Sequence, residues 1–287
     1  MPAAEVPLPP ELIRRLLAAQ HPDLAELPLT VLAHGWDNLV CRLGTSYLVR
    51  LPRRAAAAGL VRNEQRWLPS LAPRLPLPVP APVREGVPGC GYPWAWSVVP
   101  YLPGETAAHT PPADPGAAAR TLGAFLGALH TPASPDAPVH TARGVPLARR
   151  AAGVAENLAA LGDPAADEVW RRALAAPEWT GPPLWLHGDL HPANILVHDG
   201  ELSGVVDFGD LTGGDPATDL AAAWMLFPRE ADRDTFRAAH GRVDEATWTR
   251  ARGWALALGL VFVTHSADNP LMAGVGRRTV GAVLGKG

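Results

Sequence analysis

The segment from His187 to Gly209 constrains this chain more than any other. Two β-like stretches within Ile195 to Val206 are joined by Asp199-Gly200, a dipeptide that supplies the positive φ angles of a two-residue hairpin turn. With that turn His198 faces Glu201, and counting back places Asn194 opposite Val205. Asp207 then stands two residues further along, on the same face as Asn194. Diagonal neighbours of this kind lie about 7–8 Å apart, close enough to hold one metal ion between their side chains. Asp189 lies just upstream, on a loop able to point at the same spot. An amide and a carboxylate are hard oxygen ligands that suit Mg²⁺ bound through nucleotide phosphates. A third carboxylate that does not ligate metal is what phosphoryl transfer uses to orient an attacking hydroxyl and accept its proton. One base and two metal ligands therefore sit in one compact stretch.

Composition narrows the chemistry further. Lys286 is the only lysine. A Walker A loop, which needs Gly-Lys-Ser/Thr, is thereby excluded, and a pyridoxal Schiff base is disfavoured. Any phosphate-binding cation must come from arginine. The 287 residues suffice for one bilobal unit or two domains, and a hydrophobic fraction of 47% supports a sizeable core. A formal net charge of −3 gives no reason to expect nucleic acid or an anionic membrane as partner. The longest apolar run, Trp254 to Val263, is about half of a membrane span and reads as a buried helix. Cys41 and Cys90 make neither a disulfide framework nor a metal site. With no apolar signal region near the N-terminus, the expected compartment is the cytoplasm. The oligomeric state is not legible.

Along the chain, Leu12, Ile13, Leu16 and Leu17 recur at helical spacing within Glu11 to Gln20. Strands are expected at Thr30 to Ala33, Leu39 to Leu43, Tyr47 to Leu51 and Trp94 to Val99, and a helix at Ala55 to Leu71. Pro73 to Pro88 reads as an ordered extended crossing, and Pro103-Gly104 as a turn. Beyond it, helices are expected at Ala117 to His130, Leu147 to Ala160, Asp167 to Ala176 and from Asp219 onward, with a short strand at Leu184 to Leu186. The outline is α+β: an antiparallel sheet with one main helix over residues 1–100, then a mostly helical region over residues 101–287.

His187-Gly188-Asp189-Leu190-His191-Pro192-Ala193-Asn194, followed by Asp207-Phe208-Gly209, is similar to the catalytic loop and metal-binding triplet of kinases. The central glycine, His191-Pro192 and Gly214-Asp215-Pro216-Ala217-Thr218-Asp219-Leu220 resemble the aminoglycoside-phosphotransferase branch of small-molecule kinases. That resemblance covers nearly the whole chain. It implies a protein-kinase-like two-lobed fold with ATP or GTP and Mg²⁺ in the cleft between the lobes. The implied acceptor is a hydroxylated small molecule, with aminoglycoside and macrolide antibiotics among the candidates. Carried over, Asp189 is the catalytic base, Asn194 and Asp207 hold the metal, Asp219 braces the catalytic loop, and His187 and His191 support it. A capping or loop-stabilising role for His187, His191 and Asp219 stands beside these assignments, and Asp210 and Asp215 read as structural.

The N-terminal signals are looser. Arg50, on the strand Tyr47 to Leu51, would stand where kinases place a lysine on the α- and β-phosphates, held by Glu64 from the next helix. Arginine presents a bulkier planar fork, so this departs from the protein-kinase pattern, and a surface ion pair is the alternative. His34-Gly35-Trp36-Asp37-Asn38 would cover phosphates through backbone N–H groups, with Gly35 as its glycine. The hinge that reads the base is placed at Ser97 to Leu102, with Ser97, Val99 and Tyr101 as contacts because Pro100 offers no N–H. Two competing readings remain: a nucleotide-binding module without catalysis, and a metal-dependent hydrolase built on His187, Asp189, His191 and Asp207. A serine hydrolase is set aside for want of Gly-x-Ser-x-Gly.

Overall fold

A computed structural model describes residues 3–286 of the chain. The described residues divide into two compact units, one up to residue 73 with 79–102, and one of residues 74–78 with 103 onward.

The first unit begins with helix α1 (Pro10–Gln20), whose first helical residue is proline, placed where a missing N–H costs nothing. Its apolar stripe of Leu12, Ile13, Leu16 and Leu17 is buried against a sheet. That sheet comprises β1 (Leu29–His34), β2 (Asn38–Leu43), β3 (Tyr47–Pro52), β4 (Arg84–Gly86) and β5 (Trp96–Pro100), in the antiparallel order β1-β2-β3-β5-β4. Helix α2 (Ala55–Leu71) lies between β3 and β4 in sequence and buries Ala57, Val61, Glu64 and Leu68 at helical spacing. Leu39, Cys41, Leu43, Val49, Leu51, Trp96 and Val98 complete this core. Burial pushes the Cys41 thiol up to about 11, so it behaves as a small apolar side chain. The last strand starts two residues later than expected, at Trp96, because Trp94 packs edge-on against Tyr92 instead of joining the ladder.

The second unit contains β6 (Glu105–Thr106), α3 (Pro115–Leu129), α4 (Ala151–Leu161), α5 (Pro164–Ala175), β7 (Leu184–Leu186), β8 (Ile195–His198), β9 (Glu201–Val205) and β10 (Thr212–Gly214). It closes with α6 (Ala217–Leu220), α7 (Ala222–Leu226), α8 (Glu230–His240), α9 (Glu245–Thr264) and α10 (Pro270–Val283). Helix α3 starts at Pro115 rather than Ala117, because the Asp114 carboxylate accepts the Ala117 N–H and sets the first turn earlier. The helix expected from Leu147 is a 3₁₀ turn at Leu147–Arg150 that passes into α4. α3 packs along α8, and α9 packs against α5 and α10. Trp254 is fully buried within α9, and Trp224 stacks on Trp248 with ring centroids 4.5 Å apart. Trp224 and Trp254 are core residues, and Trp248 is half-buried against Trp224. Among the described residues no helix is long and apolar enough to cross a membrane.

The β8–β9 hairpin departs from the expected register. His198 pairs with Glu201 as a two-residue turn requires, and Asp199 and Gly200 both take positive φ. A bulge then intervenes: Val197 pairs with Leu202, but Leu196 pairs with Gly204 and Ile195 with Val205. Ser203 is the extra residue, and its hydroxyl donates to the Pro103 carbonyl at 2.9 Å. Asn194 therefore lies opposite Val206, whose N–H it accepts at 2.9 Å, and not opposite Val205. The diagonal same-face relation of Asn194 and Asp207 read from simple counting is thus incorrect. The chain leaves the strand at Val206, and Asp207 adopts a left-handed conformation with φ 66° and ψ 66°.

Candidate active site

In the second unit, β7 runs into the loop that carries His187, Gly188 and Asp189. Asp219, on the short helix α6, is fully buried and holds that loop by its backbone. Its Oδ2 accepts the His187 N–H at 2.7 Å and its Oδ1 the Gly188 N–H at 2.9 Å. Burial alone would push this carboxyl up. The His130 ring at 3.2 Å, the nearby His187 and the Gly188 amide outweigh it and hold Asp219 below its ordinary value. Gly188 has φ +86°, and a Cβ there would come within 2.3 Å of the Asp210 carbonyl oxygen, so only glycine fits. Both ring nitrogens of His187 are engaged: Nε2 donates to the Val206 carbonyl at 2.9 Å, and Nδ1 accepts the Asp189 N–H at 3.2 Å. A histidine fixed on both sides orients a loop and has no nitrogen left for a metal. Consistently, no cluster of three His, Cys, Asp or Glu side chains able to hold a metal occurs among the described residues. With both nitrogens of His187 engaged, the hydrolase reading loses one of its four ligands.

Asp189 projects from this loop with 28% of its side chain exposed. Oδ1 pairs with Arg143 Nη2 at 2.6 Å, and Oδ2 lies 3.4 Å from His191 Nε2. Burial raises its pKa, but the His191 hydrogen bond and the charges of His191, Arg143 and His187 win, leaving it well below the ordinary carboxylate range. It is a carboxylate at neutral pH. Asn194 Nδ2 donates to the Asp189 carbonyl at 2.9 Å, which turns Oδ1 the other way. Asp207 is exposed on its left-handed backbone. Such a conformation in a residue with a Cβ costs about 1–2 kcal/mol and is retained where position matters.

The first unit presents a second cluster. Arg50 Nη1 reaches both Glu64 oxygens at 2.9 Å, and the residues are only 9% and 2% exposed. The pair is buried, so the alternative of a surface ion pair is overturned. Removing one member of such a pair costs about 3–5 kcal/mol, because a buried charge is left behind. The Gly35 N–H is not available to a phosphate: it donates to the Asn38 carbonyl at 2.8 Å and closes the turn between β1 and β2. The Gly35 carbonyl accepts from Arg53 Nη1 at 2.8 Å, and Asp37 pairs with Arg54 at 2.7 Å. Trp36 stands exposed at the tip. In the hinge, Ser97 and Val99 are buried in β5, and the Ser97 hydroxyl accepts from Gln65 at 3.2 Å. The Tyr101 N–H, expected to meet a base, instead donates to the Ser46 carbonyl at 2.8 Å, extending the β3–β5 ladder by one bond. The Arg42 guanidinium stacks 3.2 Å above the Tyr101 ring.

Several contributors were not anticipated from sequence. His130, at the end of α3, links Asp219 to His240, its Nδ1 lying 2.9 Å from His240 Nε2. Arg143 lies in the loop before α4 and joins Asp189 to Asp210, which had been read as merely structural. Nothing in their local spacing marks them. The near absence of lysine was the one hint that arginines would be recruited. Asp215 does have the structural part expected of it, pairing with the buried Arg250 at 2.8 Å.

Solved structures carry the same fold. An aminoglycoside 2'-phosphotransferase-IIIa in its GDP complex is 18% identical, with a TM-score of 0.69 over 94% of this chain and 97% of that one. The apoenzyme of macrolide 2'-phosphotransferase MphH from Brachybacterium faecium is 24% identical, with a TM-score of 0.60 over 96% and 98%. The ADP-bound aminoglycoside phosphotransferase APH(2'')-Ib is 16% identical, with a TM-score of 0.62 over 96% and 99%. The architecture is therefore the protein-kinase-like one, an antiparallel sheet unit and a mostly helical unit carrying the β8–β9 hairpin. No curated protein matches the chain in sequence. The profile of the phosphotransferase enzyme family matches residues 28–254, and the chain belongs to that family. It is a kinase-type phosphotransferase with a hydroxyl group as acceptor.

Proposed function

We propose that this protein transfers the γ-phosphate of ATP or GTP to a hydroxyl of a small molecule, with Asp189 as the base. The observation that carries this reading is the state of Asp189: ionised, partly exposed, and fixed on a loop whose amides are gripped by a buried carboxylate. Such a group can hold an acceptor O–H in line and take its proton as the P–O bond forms. Solved relatives hold GDP, ATP or ADP, and some hold kanamycin, gentamicin or streptomycin, which supports a nucleotide donor and a hydroxylated natural product, an antibiotic among the candidates, as acceptor.

Asn194 Oδ1 and the Asp207 carboxylate fit Mg²⁺, being hard oxygen donors flanking the base loop, with the amide fixed by its own N–H bond. Two side chains cannot fill an octahedral shell, so phosphate oxygens would complete it. When bound, the ion would neutralise charge on the phosphates. Arg50, held bidentate by Glu64, is assigned to the α- and β-phosphates. The Gly35 turn would act through its tip, and the hinge through groups other than the Tyr101 N–H. Positioning and electrostatics carry the rate, with little covalent work for the protein.

The test is phosphate transfer read by mass spectrometry, with ATP and GTP in parallel. The panel covers aminoglycosides, macrolides, choline, homoserine and other hydroxylated metabolites, beside Asp189→Asn. A phosphorylated product from the wild type alone supports the reading and names the acceptor class. Equal turnover by Asp189→Asn removes Asp189 from its role. Tight nucleotide binding with no product from any acceptor would favour a binding module instead.

A further inference from the structure

We propose that Arg143 is a second catalytic residue, donating hydrogen bonds to the phosphoryl group as it passes from nucleotide to acceptor. This rests on the kinase reading above and adds a residue to it.

The need for such a group follows from charge. In the transition state, negative charge spreads over the three equatorial oxygens of the moving phosphoryl group, and rigid cations placed there lower the barrier. The catalytic loop His187 to Asn194 contains no arginine or lysine. Lys286 is engaged by Asp163. Among the described residues, Arg143 is the arginine paired with Asp189, at 2.6 Å. An acceptor hydroxyl bonded to Asp189 would place the incoming phosphorus within a few ångströms of this guanidinium.

The arginine is also held as a working group rather than as a loose surface partner. Nε donates to Asp210 Oδ2 at 3.4 Å and Nη2 to Asp189. Nη1, with two N–H groups, donates to no carboxylate or carbonyl among the described residues, and 18% of the side chain is exposed. The fork is therefore fixed on one side and open on the other. Its backbone is anchored as firmly. The Arg143 N–H donates to His140 Nδ1 at 3.0 Å, and the neighbouring Gly144 N–H donates to the Thr218 hydroxyl at 3.0 Å. The Gly144 carbonyl accepts the Asp215 N–H at 2.9 Å. Gly144, with φ +65°, packs so closely on Gly214 that a Cβ would lie 3.1 Å from its Cα. This loop is thus tied directly to the segment that runs from Asp207 to Asp219.

In the step itself, the bond from the γ-phosphorus to its bridging oxygen breaks, and the electron pair leaves with the nucleoside diphosphate. The acceptor oxygen forms the new P–O bond, and its proton passes to the Asp189 carboxylate. Arg143 keeps all its protons, and its Nη1 donates to a non-bridging oxygen as charge develops in the transition state.

The test needs no knowledge of the acceptor. Binding of Mg·ADP·AlF₄⁻, which mimics the moving phosphoryl group with water in the acceptor's place, is compared with Mg·AMPPNP by calorimetry. The guanosine counterparts run beside them. The wild type is expected to prefer the mimic, and Arg143→Ala to lose that preference by about 10- to 100-fold while holding AMPPNP within about twofold. Arg143→Lys should recover part of the preference, and Arg143→Gln should not. Thermal midpoints separate loss of the cation from loss of fold, and Lys against Gln decides the matter if Ala is unstable. An unchanged preference in Arg143→Gln, or a wild type that binds mimic and AMPPNP equally, overturns the proposal and leaves the kinase reading standing. A wild type that binds neither nucleotide in any form overturns both.

Discussion

The loop from His187 to Asn194 and the turn from His34 to Asn38 are both short connections assigned to phosphate chemistry, yet they are built in opposite ways. The first is held from beneath by buried groups: Asp219 on two amides, His187 engaged at both nitrogens, and Asn194 donating to the Asp189 carbonyl. The second is closed by the Gly35–Asn38 bond and two arginine contacts, and it ends in an exposed Trp36. A charged base must be fixed to a fraction of an ångström, which takes many buried polar partners of set type and spacing. A turn that works through its backbone needs only its shape, so its side chains are far less constrained.

The sharpest way to test this contrast is to damage each loop. Asp189→Asn is expected to lower turnover about 10²- to 10⁴-fold with nucleotide affinity retained, checked by steady-state kinetics beside calorimetry. Glu64→Ala, which strands Arg50 in the interior, should cost about 3–5 kcal/mol of stability in a denaturant titration and weaken nucleotide binding as well. Asp219→Asn presents an N–H₂ where one of two backbone N–H groups must be accepted. We expect a loss of about 1–3 kcal/mol, together with a fall in turnover larger than any change in nucleotide affinity. Trp36→Ala at the exposed tip should shift stability by no more than about 0.5 kcal/mol and change nucleotide affinity only a fewfold. If Trp36→Ala proved as damaging as Asp219→Asn, the contrast between the two loops would fail.

Acid titration extends the comparison into the network behind the catalytic loop. Burial and the adjacent His130 lower His240 from 6.5 to about 3, so folding selects its neutral form. A depressed histidine contributes stability that is fully present above its unfolded value and is lost as pH falls through the window from about 6.5 to about 3. Unfolding midpoints should drop across that window, and His240→Phe should flatten the dependence. Asp189 is depressed too, by His191, Arg143 and His187. Its contribution is present above the ordinary carboxylate value near 3.9 and fades only below it. Removing a cation raises such a pKa, so Arg143→Gln should move the acid limb of turnover to higher pH.

Much of this was legible from residue order alone. The α2 boundaries, the strand β7 and the Asp199-Gly200 turn follow from periodicity and turn chemistry, which act between near neighbours. The order of Asp189, Asn194 and Asp207 around this turn is legible too, but the bulge moves Asn194 opposite Val206, so counting from the turn misplaced Asp207. What sequence spacing could not supply was set by groups far apart in the chain. The bulge at Ser203 accompanies a bond to Pro103, the Tyr101 amide is taken by Ser46, and Arg143 reaches Asp189 across 46 positions. His130 meets Asp219 only because the residue after α3 and helix α6 are brought together within one unit. Local chemistry singles out the candidate residues around the β8–β9 hairpin. Which distant side chains complete their hydrogen bonds and balance their charge depends on how the helices and loops pack, and that was decided by the tertiary structure.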